Sequence, residues 1–244
     1  MPRFFKETIK TNLFIDGADA MHIVKSLRMK VGEALTICDG CGTDYICEII
    51  NIQNGRVDLK LLSGSPNSSE PTVSATLFQC LTKNDGMDLI VRDAVQLGIT
   101  AIVPVLSSRC VSRPDEKSLA KKLARWQTIA DESAGQSGRG ILPKVQNLIS
   151  FGDCCAQMKN FDAPLFFYEL SGSEMSESIN RTTGTAALVI GPEGGFDSSE
   201  AEQIIKSGGV ATTLGPRILR AVTAPVAAIS NLMLLSGNMM PPAD

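Results

Sequence analysis

The 244-residue sequence contains a single histidine, His22. With one imidazole and no cysteine arranged toward it, neither a Ser-His-Asp nor a Cys-His nucleophile is credible. Core packing or an RNA contact suits His22 better than catalysis. No Gly-Lys-Ser/Thr follows a glycine-rich loop, which excludes a phosphate-cradling P-loop, and the GxGxxG dinucleotide fingerprint is missing. No apolar run reaches the length of a membrane span, and the opening MPRFFKETIK lacks the apolar core of a signal peptide. Cys38-x-x-Cys41 has no second CxxC, and Cys154-Cys155 has no ligand spacing, so a strand-end turn is the better reading than a zinc site and no metal is expected. Seven cysteines are an odd number, read here as reduced thiols in a cytoplasmic protein. There is no internal repeat and no low-complexity segment.

What is present fits a globular chain with room for two domains. The 23 basic and 26 acidic residues give a net charge of −3, which argues against a non-specific nucleic-acid binder. The charge is unevenly spread. Between Val105 and Val145 eight basic residues (Arg109, Arg113, Lys117, Lys121, Lys122, Arg125, Arg139, Lys144) face four acids. The opening segment adds Arg3, Lys6, Lys10, Lys25, Arg28 and Lys30. These clusters have two readings: a local phosphate-binding face, or an ordinary solvated helix face with surface lysines.

Patterning predicts two regions. Residues 1–62 are β-rich: a strand at Leu13–Ile15, a helix capped by Asp16 and running through Leu27, and strands at Ala34–Cys38, Asp44–Ile52 and Val57–Leu62. Turns at Asp39–Gly42 and Gln53–Gly55 make this a compact barrel or meander. Ser63–Pro71, without an apolar residue, is the linker candidate. Beyond it strands (Val73–Leu81, Ile99–Leu106, Lys144–Asn147, Pro164–Tyr168) alternate with helices (Asp85–Leu97, Glu116–Ser133, Phe151–Lys159, and a short one near Glu174–Asn180). This alternation implies a mostly parallel sheet with helices on both faces, the α/β class.

The stretch Thr185–Ala224 carries the chemistry. Ala186–Ile190 is stopped by Gly191-Pro192, and Val210–Leu214 by Gly215-Pro216. Between them a helix is predicted at Ser198–Lys206, with Ser199 and Glu202 in capping-box spacing. The two glycine-rich loops are expected side by side at the carboxyl ends of neighbouring strands, where ligands of α/β sheets bind. Backbone presented by Gly191–Gly195 suits a ligand with an adenine edge and a ribose, with Glu193 adding a carboxylate; the other reading is a tight strand-to-helix turn that holds no ligand. Arg217 and Arg220 are expected at the N-terminus of a last helix that begins at Thr223, with Pro225 in its first turn. There they either meet a phosphate or a substrate oxygen that becomes negative, or pair with Glu193 or Glu169.

LVIGPEGGF, LGPRILR and the terminal helix resemble the SPOUT class of knotted methyltransferases. With MPRFF, HIVKSLRMKVGE at 22–33, LARWQTIA at 123–130 and QSGR at 136–139, the chain is similar throughout to the RsmE family, which methylates N3 of a uridine in small-subunit (16S) ribosomal RNA. The resemblance implies a PUA-like RNA-binding β-barrel over 1–70 and a parallel-sheet, trefoil-knot SPOUT domain over 71–244 that packs as a homodimer. It implies S-adenosylmethionine held by Leu106, Ser107, Ile190, Gly191, Pro192, Glu193, Gly194, Gly195, Phe196, Leu214, Gly215, Ile218 and Leu219. Arg3, Arg28, Lys121, Lys122, Arg125 and Arg139 are then the RNA contacts, and Arg220, Arg217 and Glu193 the catalytic candidates. The chain departs from the family pattern at Gly86, Arg92, Asp93, Gln96, Gly135, Ala221 and Val222. Those departures motivate a second reading, a non-catalytic or altered-specificity RNA- or ribosome-binding member of the fold. An unrelated dinucleotide enzyme is the third.

Overall fold

A computed structural model of the chain describes residues 1–6, 13–169 and 172–240; Lys10 lies outside them. The chain divides into two compact units: Met1–Glu70 with Ala134–Leu142, and Pro71–Ser133 with Pro143–Asp244.

In the first unit β1 is Arg3–Phe5 and β2 Leu13–Ile15; α1 is Gly17–Met21, continuing into a π-helical turn at His22–Ser26. β3 (Ala34–Cys38), β4 (Thr43–Gln53) and β5 (Arg56–Pro66) complete a five-stranded sheet ordered β1-β3-β4-β5-β2. The β4–β5 hairpin turns where predicted, because Asn54 and Gly55 both take positive φ (52° and 72°), as a twist-matched two-residue turn requires. All five strands and the helical turn feed one core that includes Phe4, Leu13, Ile15, Ile23, Leu35, Ile37 and Ile49. The expected helix is shorter than Asp16–Leu27 and Asp16 makes no side-chain cap. His22 is exposed, edge-on to Phe4 with ring centroids 6.2 Å apart.

The predicted linker is not a free tether. Ser63–Pro66 pairs with Thr43–Ile46, since backbone pairing needs no apolar side chain. Asn67 donates to Asp44 (2.9 Å) and to the Gly138 carbonyl (3.1 Å). Glu70 grips Arg139 through two hydrogen bonds of 3.2 and 2.7 Å and accepts from the backbone of Gly140 (2.8 Å) and Ile141 (3.0 Å).

The second unit runs β6 (Ser74–Cys80), α2 (Gly86–Gln96), β7 (Ala101–Leu106) and α3 (Glu116–Gln136), the last reaching into the first unit's segment. Then come β8 (Lys144–Val145), β9 (Ile149–Ser150), α4 (Phe151–Gln157), β10 (Ala163–Phe167), β11 (Thr185–Ile190), α5 (Ser198–Lys206), β12 (Val210–Thr212) and α6 (Thr223–Leu235). These seven strands form an all-parallel sheet ordered β12-β10-β11-β6-β7-β8, with β9 also on β7. β6, β7, β10 and β11 are buried almost throughout, as strands covered on both faces are. Among the described residues no helix is long and apolar enough to cross a membrane.

Two expectations are corrected here. β11 and β12 are not neighbours, because β10 lies between them. The capping box of α5 is Asp197 with Glu200, not Ser199 with Glu202: Asp197 accepts from Glu200 N (2.9 Å) and Glu200 from Asp197 N (3.3 Å). β12 is also held on both edges. β10 pairs with one, while on the other Ser173 N donates to Ala211 O and Thr213 N to Ser173 O, both at 3.0 Å. Glycine is required at Gly172, where a Cβ would lie 2.6 Å from the Thr212 carbonyl carbon.

The Glu70–Arg139 pair generates a stability test. Burial pushes the Glu70 carboxyl up, but the Arg139 guanidinium and the Gly140 and Ile141 amides outweigh it and hold the net value below the usual range. Glu70→Ala takes the carboxylate partner from Arg139, whose side chain is only 3% exposed, and is expected to lower stability, by up to about 3–5 kcal/mol, measured by denaturant unfolding. A depressed folded value means that the pair's stabilisation is present above the unfolded carboxyl value near about 4.3 and fades as pH falls through the folded one. Glu70→Gln should remove that part of the acid sensitivity.

Candidate functional site

The carboxyl ends of β6, β7, β10 and β11 meet around one turn, Gly191–Asp197. From β6, Gln79 Nε2 donates to the Gly191 carbonyl (3.3 Å), and beyond the strand Lys83 N donates to Glu193 Oε1 (2.9 Å). From the loop after β7, Arg109 Nη1 donates to Gly194 O (2.9 Å), Ser108 N to Glu200 Oε1 (2.7 Å) and Ser108 Oγ to Asp197 Oδ2 (3.0 Å). Arg113 closes that loop onto the carbonyls of Ser107 and Ser108. The Ser199 hydroxyl, the Glu200 amide and the Ser108 hydroxyl pull Asp197 down to about 2, so it is an ionised acceptor throughout the neutral range. Inside the β7 loop the Cys110 thiol is drawn down to about 6 by its hydrogen bond with Cys80, burial opposing, and Ser107 N and Oγ lie 3.4 and 3.3 Å from its sulfur.

The glycines of this turn serve the protein's own packing. A Cβ on Gly191 would lie 3.0 Å from the Phe196 ring, one on Gly194 3.4 Å from Arg109 Cβ, and one on Gly195 2.5 Å from Glu169 Oε1. Gly195 also has φ +63°, in the left-handed region. Phe196 is a buried anchor whose ring packs 4.8 Å from Phe166 and 5.5 Å from Phe151.

The structure sorts the other predicted residues. Leu106, Leu214 and Leu219 are half-buried, Ser107, Ile190 and Pro192 buried, and Gly215 and Ile218 exposed. Glu193 is a tie between two loops, with one carboxylate oxygen on Lys83 N. Arg217 and Arg220 precede α6 rather than sit in its first turn; Arg220 O accepts from Thr223 N (2.8 Å) and Ala224 N (2.9 Å). Both side chains are exposed, and neither makes an ion pair among the described residues, so pairing with Glu193 or Glu169 is not seen.

Of the basic residues, Arg28, Lys121 and Arg125 are exposed and Lys122 half-buried; Arg125 pairs with Asp88. Two residues expected as RNA contacts are engaged within the first unit. Arg139 is 2% exposed and bound to Glu70. Arg3 pairs with Asp44 and donates to Arg139 O (3.0 Å). Both are internal joints of the first unit. Cys38 lies in a strand-end turn: Asp39 Oδ1 accepts from Cys41 N (2.8 Å) and Thr43 N (3.0 Å).

Sequence reasoning missed Gln79, Thr82, Ser108 and Glu200, and gave Arg109 and Glu169 other roles; the six come together only through strand order. Two of them leave a buried polar atom without a partner among the described residues: Gln79 Oε1 and Thr82 Oγ1, both at the end of β6.

The chain matches the family model of an RNA methyltransferase domain over residues 68–233 and that of an RNA methyltransferase PUA domain over 15–62. It is 31% identical over 243 residues to the Ribosomal RNA small subunit methyltransferase E of Bacillus subtilis, covering 94% of this chain and 95% of that protein. It is 31% identical over 226 residues to the protein of that name from Mesomycoplasma hyopneumoniae, covering 93% and 96%. A solved structure of Ribosomal RNA small subunit methyltransferase E from Neisseria gonorrhoeae, bound to S-adenosyl methionine, superposes with a TM-score of 0.86 at 32% identity, covering 96% of this chain and 98% of that one.

Gly195→Ala meets both a forbidden φ and the Glu169 carboxylate, whereas Gly215→Ala meets only its own φ of +94° and, beyond it, Arg217 at 3.9 Å. Gly215→Ala is expected to cost about 1–2 kcal/mol of stability. Gly195→Ala should cost more, and Glu169→Ala in the same chain should recover only the difference, read from the midpoints of chemical unfolding.

Proposed function

We propose that this chain, which belongs to the RsmE family of ribosomal RNA small subunit methyltransferases, methylates N3 of a uridine in 16S ribosomal RNA. It is an S-adenosylmethionine-dependent RNA methyltransferase. The observation that carries the site reading is the turn Gly191–Asp197, fixed from neighbouring strand ends, with two buried polar atoms unmatched beside it. Buried polar atoms almost always have partners, and a nucleoside-bearing ligand supplies donors for Gln79 Oε1 and for Thr82 Oγ1. The residues therefore fit the donor.

Gly191–Glu193 and Ser107 would hold it on one side, and Leu214, Gly215 and Leu219 on the other. Bound S-adenosylmethionine supplies an electrophilic methyl group. The chain's own work falls on the acceptor base. N3 of uridine must lose its proton, and the negative charge then spreads to the uracil carbonyl oxygens. Arg220, with Arg217 beside it, is exposed and free of ion pairs among the described residues, so its guanidinium can stabilise that charge. Glu193, tied to Lys83 N, positions the turn. The base must be unpaired or extruded to reach the site.

The first unit is read as the PUA-like RNA-binding domain with Arg28 on its surface, and the second as the knotted SPOUT domain, a reading supported by hydrogen bonding on both edges of β12. Lys121, Lys122 and Arg125 are read as phosphate contacts. Exposed Ile218 (87%) and Leu234 (58%) support docking of a second copy, a homodimer. The setting is cytoplasmic, where ribosomal RNA is the substrate.

The departures at Gly86 and Val222 fall together beside the turn rather than in it: a Cβ on Gly86 would lie 3.4 Å from Val222. They keep a non-catalytic RNA-binding protein as the alternative. Transfer of labelled methyl from the donor to small ribosomal subunits decides between the two. Incorporation at a uridine N3 is expected; donor binding without transfer would leave the alternative. Arg220→Ala should lower kcat by about 10²–10³-fold while leaving donor affinity unchanged. Arg28→Ala should raise KM for subunits at unchanged kcat, whereas Arg139→Ala should lower the melting temperature instead.

A further inference from the structure

Glu169 stands two residues beyond the end of β10. β10 is paired with β11 on one side and β12 on the other, so Glu169 leaves the sheet between the two loops assigned to the donor. Its carboxylate lies against Gly195, where a Cβ would come within 2.5 Å of Oε1 and 3.2 Å of Oε2. Of the four carboxylates at the turn, the other three are engaged. Glu193 accepts from Lys83 N (2.9 Å), Asp197 from Glu200 N (2.9 Å) and Ser108 Oγ (3.0 Å), and Glu200 from Ser108 N (2.7 Å) and Asp197 N (3.3 Å). Glu169 is exposed, and its carboxylate has no hydrogen bond or ion pair among the described residues.

We propose that Glu169 recognises the ribose of the methyl donor, its two carboxylate oxygens accepting from the vicinal 2′ and 3′ hydroxyls. The inference rests on the donor-binding reading above and names a side chain within it. An ionised carboxylate is an acceptor-only group with two oxygens side by side, matched to a pair of adjacent O–H donors. The sulfonium is the wrong partner. Its positive charge disappears on transfer, so an anion beside it would stabilise the ground state more than the transition state and slow the reaction. Ribose hydroxyls keep their charge state throughout. The contact with Gly195 fixes where the carboxylate sits, so the Gly194-Gly195 step and Glu169 are parts of one device: the glycine makes room for the acid.

Titration calorimetry of the full chain tests this with S-adenosylmethionine, S-adenosylhomocysteine, 5′-methylthioadenosine and the 2′-deoxy form of S-adenosylhomocysteine. Glu169→Ala is expected to weaken the three ribose ligands alike, by about 10–100-fold, and Glu169→Gln by less. Removing the 2′ hydroxyl should weaken binding to the natural chain but make no difference to Glu169→Ala. An unchanged melting temperature without ligand separates this from misfolding. Loss confined to S-adenosylmethionine would assign Glu169 to the sulfonium, and loss spared only by 5′-methylthioadenosine would assign it to the amino-acid end; either overturns the proposal, as does no loss at all. If the natural chain binds none of the four, the donor-binding reading itself falls.

Discussion

The hydrogen bonds that fasten the Gly191–Asp197 turn to its neighbouring strand ends are the constraint on which the rest of the second unit depends. A seven-residue turn with three glycines has little stiffness of its own, since glycine has the most backbone freedom to lose. Here its carbonyls are held by Gln79 and Arg109, its acids accept from Lys83 and Ser108, and Phe196 plugs it into the aromatic core. The parallel pairing of β11 with β6 and β6 with β7 brings those donors within reach. The turn is thus pre-shaped before any ligand arrives, and binding need not order it.

This arrangement separates two kinds of work. Shape comes from backbone and buried side chains, which tolerate change elsewhere on the surface. Charge comes from exposed side chains outside the turn: Arg217 and Arg220 on one strand end, Glu169 on another. The departures from the family pattern at Gly86 and Val222 lie close together outside the turn, a Cβ on Gly86 falling 3.4 Å from the Val222 side chain.

Much of this was legible in the sequence. The βα alternation, the bounds of α5, the start of α6 at Thr223 and both glycine-rich loops follow from local patterning, and so does the place of the β4–β5 turn. What was not legible is what depends on distant partners. β11 and β12 are consecutive strands in sequence, but crossover connections, not sequence adjacency, set strand order, so β10 could lie between them. Arg139 reads as one more basic residue in a positive stretch until Glu70, 69 positions away, claims its guanidinium. Ser63–Pro66 reads as a linker because its composition is polar, whereas its ladder is made by backbone. The capping box was displaced because Ser199/Glu202 and Asp197/Glu200 satisfy the same spacing. Strands as short as β1 and β9, three and two residues, carry no periodicity to read.

The most direct test of the central claim, that two loops separated by β10 make one methyl-donor site, is amide hydrogen exchange of the full chain with and without S-adenosylmethionine. The expected result is added protection in residues 191–197 and 213–220 together, with the β4–β5 hairpin of the first unit unchanged. Protection of only one of the two segments, or protection confined to the first unit, would contradict it.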